Sequence, residues 1–319
     1  MRGPGIAATA VRDPNGKIQI ETKPVHSISE RFPILKKPML RGSVALIESL
    51  VIGMRSLSYS AKMAGEEDEQ LSDKELAATI FISLALACVL FIAIPTGGAR
   101  FFHRITDDPV FLNLMEGFLR LGIFLLYLWG ISRMKDIRRV FEYHGAEHRT
   151  IHCYEAGKPL TVENVQQFSR LHPRCGTNFL LIVMLVSIFV FAFLGWPDLW
   201  LRIASRILLL PVVAGISYEL IRIAGHSKNA IVQTAVKPGL WLQYLTTRPP
   251  KDDMVEVAIE SLKAVLPKDA IPAGSGNYLT KDDAADASDM SVTENKTGSV
   301  NENTAAIGTN CTPQTSDIR

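Results

Sequence analysis

Asn178-Phe179-Leu180-Leu181-Ile182-Val183-Met184-Leu185-Val186-Ser187-Ile188-Phe189-Val190-Phe191-Ala192-Phe193-Leu194-Gly195-Trp196 carries no charged side chain along its whole length. A helix needs roughly 20 mostly apolar residues to cross a bilayer, and this block supplies them. Three further blocks of similar length lie at 77–95, 110–132 and 203–224. The first of these is uncharged. The second contains Glu116 and Arg120, and the last contains Arg206, Glu219 and Arg222. A charge at mid-membrane costs at least ~2.5 kcal/mol on insertion scales. Glu116 with Arg120, and Glu219 with Arg222, are spaced to pair on one helix face, which offsets that cost. Ionisable residues inside a membrane are also functional candidates in their own right. The four blocks predict a mainly α, polytopic membrane protein with about four transmembrane helices.

Lysine and arginine are unevenly placed around these blocks. Eleven precede the first and eight lie within 133–177, whereas 97–109 holds only Arg100 and Arg104, and 197–200 holds none. The positive-inside rule then puts the N-terminus, the 133–177 loop and the C-terminus in the cytoplasm of a multi-pass cell-membrane protein. No apolar stretch near Met1 predicts a cleaved signal peptide. The four cysteines lack framework spacing and two fall in the expected cytoplasmic loop, so they read as reduced thiols. The bilayer is the expected partner, and a net charge of +2 gives no footprint for nucleic acid.

The blocks divide the chain. Residues 1–41 read as a small β-hairpin followed by a basic, proline-punctuated stretch. The hairpin runs from Ile6 to Arg12, turns at Asp13-Pro14-Asn15-Gly16 and returns through Lys17 to Lys23. Residues 42–76 hold a more polar helix, expected to be interfacial or re-entrant, and an acidic loop at Glu66-Glu67-Asp68-Glu69. Residues 77–132 and 178–224 each carry two spans. The helical cytoplasmic loop 133–177 joins them. Its first helix is expected to continue the second span and stop near Gly157-Lys158-Pro159, and Thr161 is placed to cap a second one running to Leu171. Residues 225–270 read as cytoplasmic amphipathic helices, with Trp241 and Tyr244 suited to a membrane interface. Residues 271–319 are polar and poor in large apolar side chains, the composition of a disordered tail.

The chemistry concentrates in the central loop. Residues 144–172 hold four of the seven histidines. His144-Gly145-Ala146-Glu147-His148 has the form H-x-x-E-H, the inverse of the H-E-x-x-H metalloprotease pattern. On a helix His144 and His148 point the same way and can grip one ion. Glu147 beside them is the candidate general base. His152 continues the stripe, with Cys153 and Glu155 as possible additional ligands. One unbroken helix cannot deliver His144, His148 and His152 to one ion, since 144 to 152 rises ~12 Å and ligand atoms sit ~2 Å from zinc. The remaining ligands are therefore expected from His172-Pro173-Arg174-Cys175, as His172 and Cys175. Imidazole and thiolate together select a divalent transition metal, zinc first. Cys153 or Cys175 with a histidine base also has the form of a nucleophilic pair.

Several longer motifs accompany these residues: Met1-Arg2-Gly3-Pro4, Glu142-Tyr143-His144-Gly145-Ala146-Glu147-His148, Thr161-Val162-Glu163-Asn164-Val165 and His172-Pro173-Arg174-Cys175-Gly176-Thr177. Tyr218-Glu219-Leu220, Pro238-Gly239-Leu240-Trp241-Leu242-Gln243 and Leu245-Thr246-Thr247-Arg248 follow. With them the chain, to about residue 266, resembles the YqhQ-type family of uncharacterised bacterial membrane proteins. That resemblance implies a membrane protein with a metal-dependent activity inferred from its His/Cys motifs. The family usually has a Gly-rich, Glu-containing segment before Met-Arg-Gly-Pro, which implies a start assigned downstream of the natural one here.

Three functions fit these observations. The first is a metal-dependent hydrolase working at the cytoplasmic membrane surface through Glu147 and a His/Cys-bound ion. The second is a non-enzymatic scaffold or assembly factor whose His/Cys cluster staples the central loop. The third is a small transporter using Glu116, Arg120, Glu219 and Arg222.

Overall fold

The structure, a computed structural model, describes residues 1–64, 73–226 and 229–279. The acidic run 66–69 and the tail from 280 onward lie outside the described residues. Three antiparallel strands open the chain in the order β1 (Arg2–Gly3), β2 (Ile6–Arg12) and β3 (Ile18–Pro24). The hairpin register runs from Ile6 opposite Pro24 to Arg12 opposite Ile18. Asp13 closes its turn, accepting the Gly16 N–H on its carbonyl at 3.0 Å and the Lys17 N–H on its side chain at 2.9 Å.

The rest is helical. After the short α1 (Ile28–Arg31) comes α2 (Leu40–Ala64), one continuous helix. Next are α3 (Asp73–Cys88), a π-turn at Val89–Ala93 and α4 (Ile94–Phe102), which follow one another without a break. Then come α5 (Pro109–Ile131), α6 (Lys135–Glu155), α7 (Val162–Gln166) and α8 (Gly176–Ala192). The series ends with α9 (Leu199–His226), α10 (Ala230–Thr246) and α11 (Asp252–Lys263).

Among the described residues three helical stretches are long and apolar enough to cross a membrane: Ala78–Phe102, Pro109–Ile131 and Trp200–Ile223. The fourth expected span, built on 178–196, is shorter. Its helix α8 has 17 residues, or ~25 Å at 1.5 Å per residue. It stops at Ala192 because Gly195 takes the left-handed φ of 71° and Pro197 follows.

Two cores result. In the first, Ala8 of β2 packs with Ala146 and Cys153 of α6, Val165 of α7 and Val255, Ile259 and Leu262 of α11. In the second, Phe124 and Leu128 of α5 meet Leu181 of α8 and Leu242 of α10. Helix α2 lies against both α9 and the hairpin. Ser43 Oγ donates to the Pro211 carbonyl at 2.8 Å, Arg2 pairs with Glu48 at 3.0 Å, and Thr9 donates to Ser56 at 2.8 Å.

Two expectations change. Glu116 does pair with Arg120, at 2.7 Å. Glu219 feels the charge of Arg222 and gains a bidentate partner from α2 as well, with Arg41 Nε donating to its Oε1 at 2.7 Å. The planar guanidinium fork matches both carboxylate oxygens, which a neighbour on the same helix is poorly placed to do. The tail also begins later than residue 271. Residues 271–279 pack on the first core because Glu260, only 2% exposed, needs partners there. The Tyr278 N–H donates to Glu260 at 2.9 Å, and Lys263 reaches both Glu260 at 2.8 Å and the Gly276 carbonyl at 3.0 Å.

Candidate metal site

Helix α6 does not continue α5. Ser132 caps the end of α5, bonding back to the Trp129 carbonyl, and Met134 is extended, which starts α6 afresh in its own direction. The buried face of α6 includes Gly145, Ala146, His148, Thr150, Ile151 and Cys153. Gly145 allows the closest approach. A Cβ there would sit 2.0 Å from the Arg248 carbonyl oxygen, and the Arg248 N–H bonds the Phe141 carbonyl at 2.8 Å. The end of α10 is thereby pressed onto α6.

That contact orients His144. His144 Nδ1 lies 2.9 Å from the Thr246 carbonyl, and His148 Nδ1 lies 2.6 Å from the Arg170 carbonyl. A carbonyl only accepts, so each ring donates from Nδ1 and leaves Nε2 facing inward, as a lone pair when the ring is neutral and as an N–H donor to the sulfur when it is charged. This is the backbone-oriented tautomer usual for metal-ligating histidine. His144 Nε2 lies 3.2 Å from Cys175 Sγ. His144, His148 and Cys175 each offer a ligand atom within 4.8 Å of the others. Cys175 is the N-cap of α8, and its sulfur also touches Thr177 Oγ1 at 3.2 Å.

The electrostatics favour a thiolate. Burial pushes the Cys175 thiol up, but hydrogen bonds and charge from His144 and His148 outweigh it and bring the pKa down to about 5. For His144, burial works against the charged ring. The Cys175 hydrogen bond and charge, then Glu147 and the Thr246 carbonyl, raise it to about 9.

A second set, His152, Glu155 and His172, is also close enough to hold an ion. The rings step from His144 to His148 at 4.4 Å, on to His172 at 5.7 Å and to His152 at 4.7 Å. This set is differently wired. His172 Nδ1 accepts the Arg174 N–H at 3.2 Å, so the neutral ring carries its proton on Nε2, 3.6 Å from Glu155. Glu155 is also paired with Arg174. Burial disfavours the charged Glu155 carboxylate, but His172 and Arg174 hold its pKa below the usual range. His152 Nε2 is engaged by the Leu171 carbonyl at 2.9 Å, and burial lowers its pKa.

The structure thus sorts the sequence candidates. His144, His148 and Cys175 come together. His172, expected with them, sits instead with His152 and Glu155. Cys153 is on the far side of α6, fully buried in the first core, where burial pushes its thiol up and its sulfur faces the Pro159 carbonyl at 3.5 Å. It belongs to neither donor set. Glu147 belongs to neither donor set but, with His144, lines a cavity of about 860 Å³ between β2, α2, α6 and α11. Gln243, fully buried, clamps the His172 backbone by accepting its N–H at 2.8 Å and donating to its carbonyl at 2.7 Å. Gln243 and the Thr246 and Arg170 carbonyls were not among the expected site residues. The first two fall in the motifs around 238–248, whose chemistry shows only once α10 meets α6.

The family of proteins of unknown function called DUF1385 matches residues 37–268, a range that contains every residue of both donor sets. The chain belongs to the DUF1385 family. Among its relatives, "Uncharacterized protein YqhQ" of Bacillus subtilis (strain 168) is 38% identical over 279 residues, covering 82% of this chain and 87% of the relative. This supports the YqhQ-type resemblance read from the motifs. No solved structure matches this DUF1385 chain.

Proposed function

We propose that this DUF1385 chain is a multi-pass membrane protein that binds a divalent metal, zinc by its donor set, through His144, His148 and Cys175. In this reading it hydrolyses a substrate at the membrane surface with Glu147 as general base. The observation that carries the metal site is the paired Nδ1–H to carbonyl orientation, which turns two imidazole Nε2 atoms toward one sulfur. Three protein ligands leave a fourth position, the arrangement of catalytic rather than structural zinc. A bound ion of this class would polarise the bond to be cleaved. Glu147, on the cavity wall beside His144, would take the proton of the attacking water. His144 and His148 are held in place by the backbone and need no rearrangement.

Membrane placement rests on the three long apolar helices and on what they leave uncovered. Phe81, Leu126 and Leu208 are 73%, 65% and 78% exposed, a belt that water disfavours and lipid accepts. The short α8 serves as a fourth span at the lower end of the spanning range. With both termini and α6 on the cytoplasmic side, the cavity opens where the hairpin meets the membrane surface.

The 3.2 Å contact between Cys175 and His144 favours a second reading, a thiolate nucleophile with a histidine partner. Metal analysis of the purified protein separates the two. Stoichiometric zinc that disappears in His148→Ala supports the metal reading. A metal-free protein whose Cys175 is modified rapidly by iodoacetamide near neutral pH supports the nucleophile.

A further inference from the structure

A second polar cluster lies toward the other end of α5. Glu116, 1% exposed, accepts on Oε1 from Thr96 at 3.1 Å, from Arg120 at 2.7 Å and from Arg206. Arg206 also donates to Asn113 at 3.0 Å. Arg120 Nε donates to the Phe91 carbonyl at 2.9 Å, inside the π-turn. Such a turn loosens the regular helical ladder and is frequent at functional sites. Arg202 stacks on Trp196 at 3.8 Å and points Nη1 toward Glu116 Oε2, but stays 3.9 Å away.

Two features do not balance. Three guanidinium groups surround Glu116, with Asp198 the other carboxylate acting on Arg202, an excess of positive charge that is costly where solvent is scarce. In addition, Arg202 Nε and Nη1 and Glu116 Oε2 have no hydrogen-bond partner, although Arg202 is only 5% exposed and Glu116 only 1%. Unpartnered buried charged atoms are rare unless a ligand completes them. The excess charge favours an anion that accepts from Arg202 and also donates to Glu116 Oε2. A phosphomonoester monoanion has both functions on one tetrahedron, a charged oxygen and a P–OH. Sulfate has only acceptors.

We infer that Arg202, Glu116, Arg120 and Arg206 form a binding site for a protonated phosphate group, carried by inorganic phosphate or by a lipid phosphomonoester headgroup. The site is separate from the His/Cys centre. Some 15 residues of α5 lie between Glu116 and Ile131, ~22 Å of helix. It does not depend on the metal reading. Only the lipid source rests on the membrane placement.

The test is thermal unfolding of the purified full-length chain in phosphatidylcholine nanodiscs at about pH 6, where a phosphomonoester keeps a proton on much of its population. Inorganic phosphate is titrated in one arm and sulfate in another, and a third replaces part of the lipid with phosphatidic acid. Phosphate or phosphatidic acid should raise Tm, with sulfate at least roughly tenfold weaker, the size of losing one hydrogen bond to a charged group. A response to phosphate alone assigns the free anion, and one to phosphatidic acid alone assigns the lipid. Arg202→Gln should abolish the response. Glu116→Gln offers a second, gain-of-binding check that survives poor folding of the first variant. Its amide can donate where the carboxylate only accepts, so sulfate should become as good as phosphate. The proposal fails if neither phosphate source shifts Tm, if sulfate matches phosphate in the unaltered protein, or if the response persists in Arg202→Gln.

Discussion

The Nδ1 atom of His144 donates to the carbonyl of Thr246 over 2.9 Å, so a residue 102 positions away sets the orientation of the ring. This contact exists because Gly145 leaves room for the Arg248 carbonyl. Gly145→Ala should push the 246–248 segment off α6, since its Cβ would meet that oxygen at 2.0 Å. Metal affinity is expected to fall by roughly 10–100-fold, the usual cost of losing an outer hydrogen bond to a ligand. Competition with a zinc chelator measures it. Unchanged affinity would detach Thr246 from the site.

Glu147 separates chemistry from binding. Glu147→Gln should keep metal content and Tm, because the side chain belongs to neither donor set, while cellular function disappears if it is the base. His148→Ala should lose the metal. A fully functional, metal-loaded Glu147→Gln protein rejects this carboxylate as base and leaves a stapled scaffold as the better reading.

His172 provides a sharper discrimination. Its Nδ1 already accepts a backbone N–H, so His172→Gln should retain stoichiometric metal, whereas Cys175→Ser should lose most of it. Metal analysis of both variants decides the ligand set. Loss of metal in His172→Gln would return this ring to the first set.

Gln243→Ala removes both hydrogen bonds that hold the His172 backbone. Leaving two buried backbone groups unsatisfied should destabilise the protein by ~2–5 kcal/mol, visible as a lower denaturation midpoint. Because Cys175 follows three residues on, zinc affinity should drop in parallel. A stable variant with weak zinc binding, or the reverse, would show that clamp and site are uncoupled.

The proposed topology is checked by cysteine labelling in intact cells. A single cysteine near Asp107 should react with a membrane-impermeant reagent, and one placed on the exposed face of α6 should not. The opposite pattern would invert the protein in the membrane.

Much of this architecture was readable from residue pattern. Asp13-Pro14-Asn15-Gly16 located the hairpin because turn chemistry is local, and Thr161 caps α7 as its position implied, accepting from the Asn164 N–H, although that helix ends at Gln166 and not at Leu171. His144 and His148 were readable as a pair because helical spacing alone puts them on one face. The partners of that pair were not, since they depend on how the 170–175 loop and the end of α10 dock. His172 and Cys175 are three apart in sequence, yet the loop turns one to Glu155 and the other to His144. Glu219 shows the same limit. Its neighbour Arg222 was visible in the sequence, but Arg41, 178 positions away, became available only once α2 lay along α9.

The segment 271–279 bears on where this protein can be cut. The DUF1385 match stops at residue 268, and a truncation designed on it would discard Tyr278, whose hydroxyl accepts the Val162 N–H at 3.1 Å, and Ser275, which accepts that of Leu160 at 2.9 Å. Both N–H groups belong to the approach to α7, the helix that precedes the 170–175 loop. Ending the chain at 268 would thus remove both contacts from the start of α7, and with them support for the loop whose Arg170 carbonyl meets His148. An affinity tag or a fused reporter belongs after residue 279.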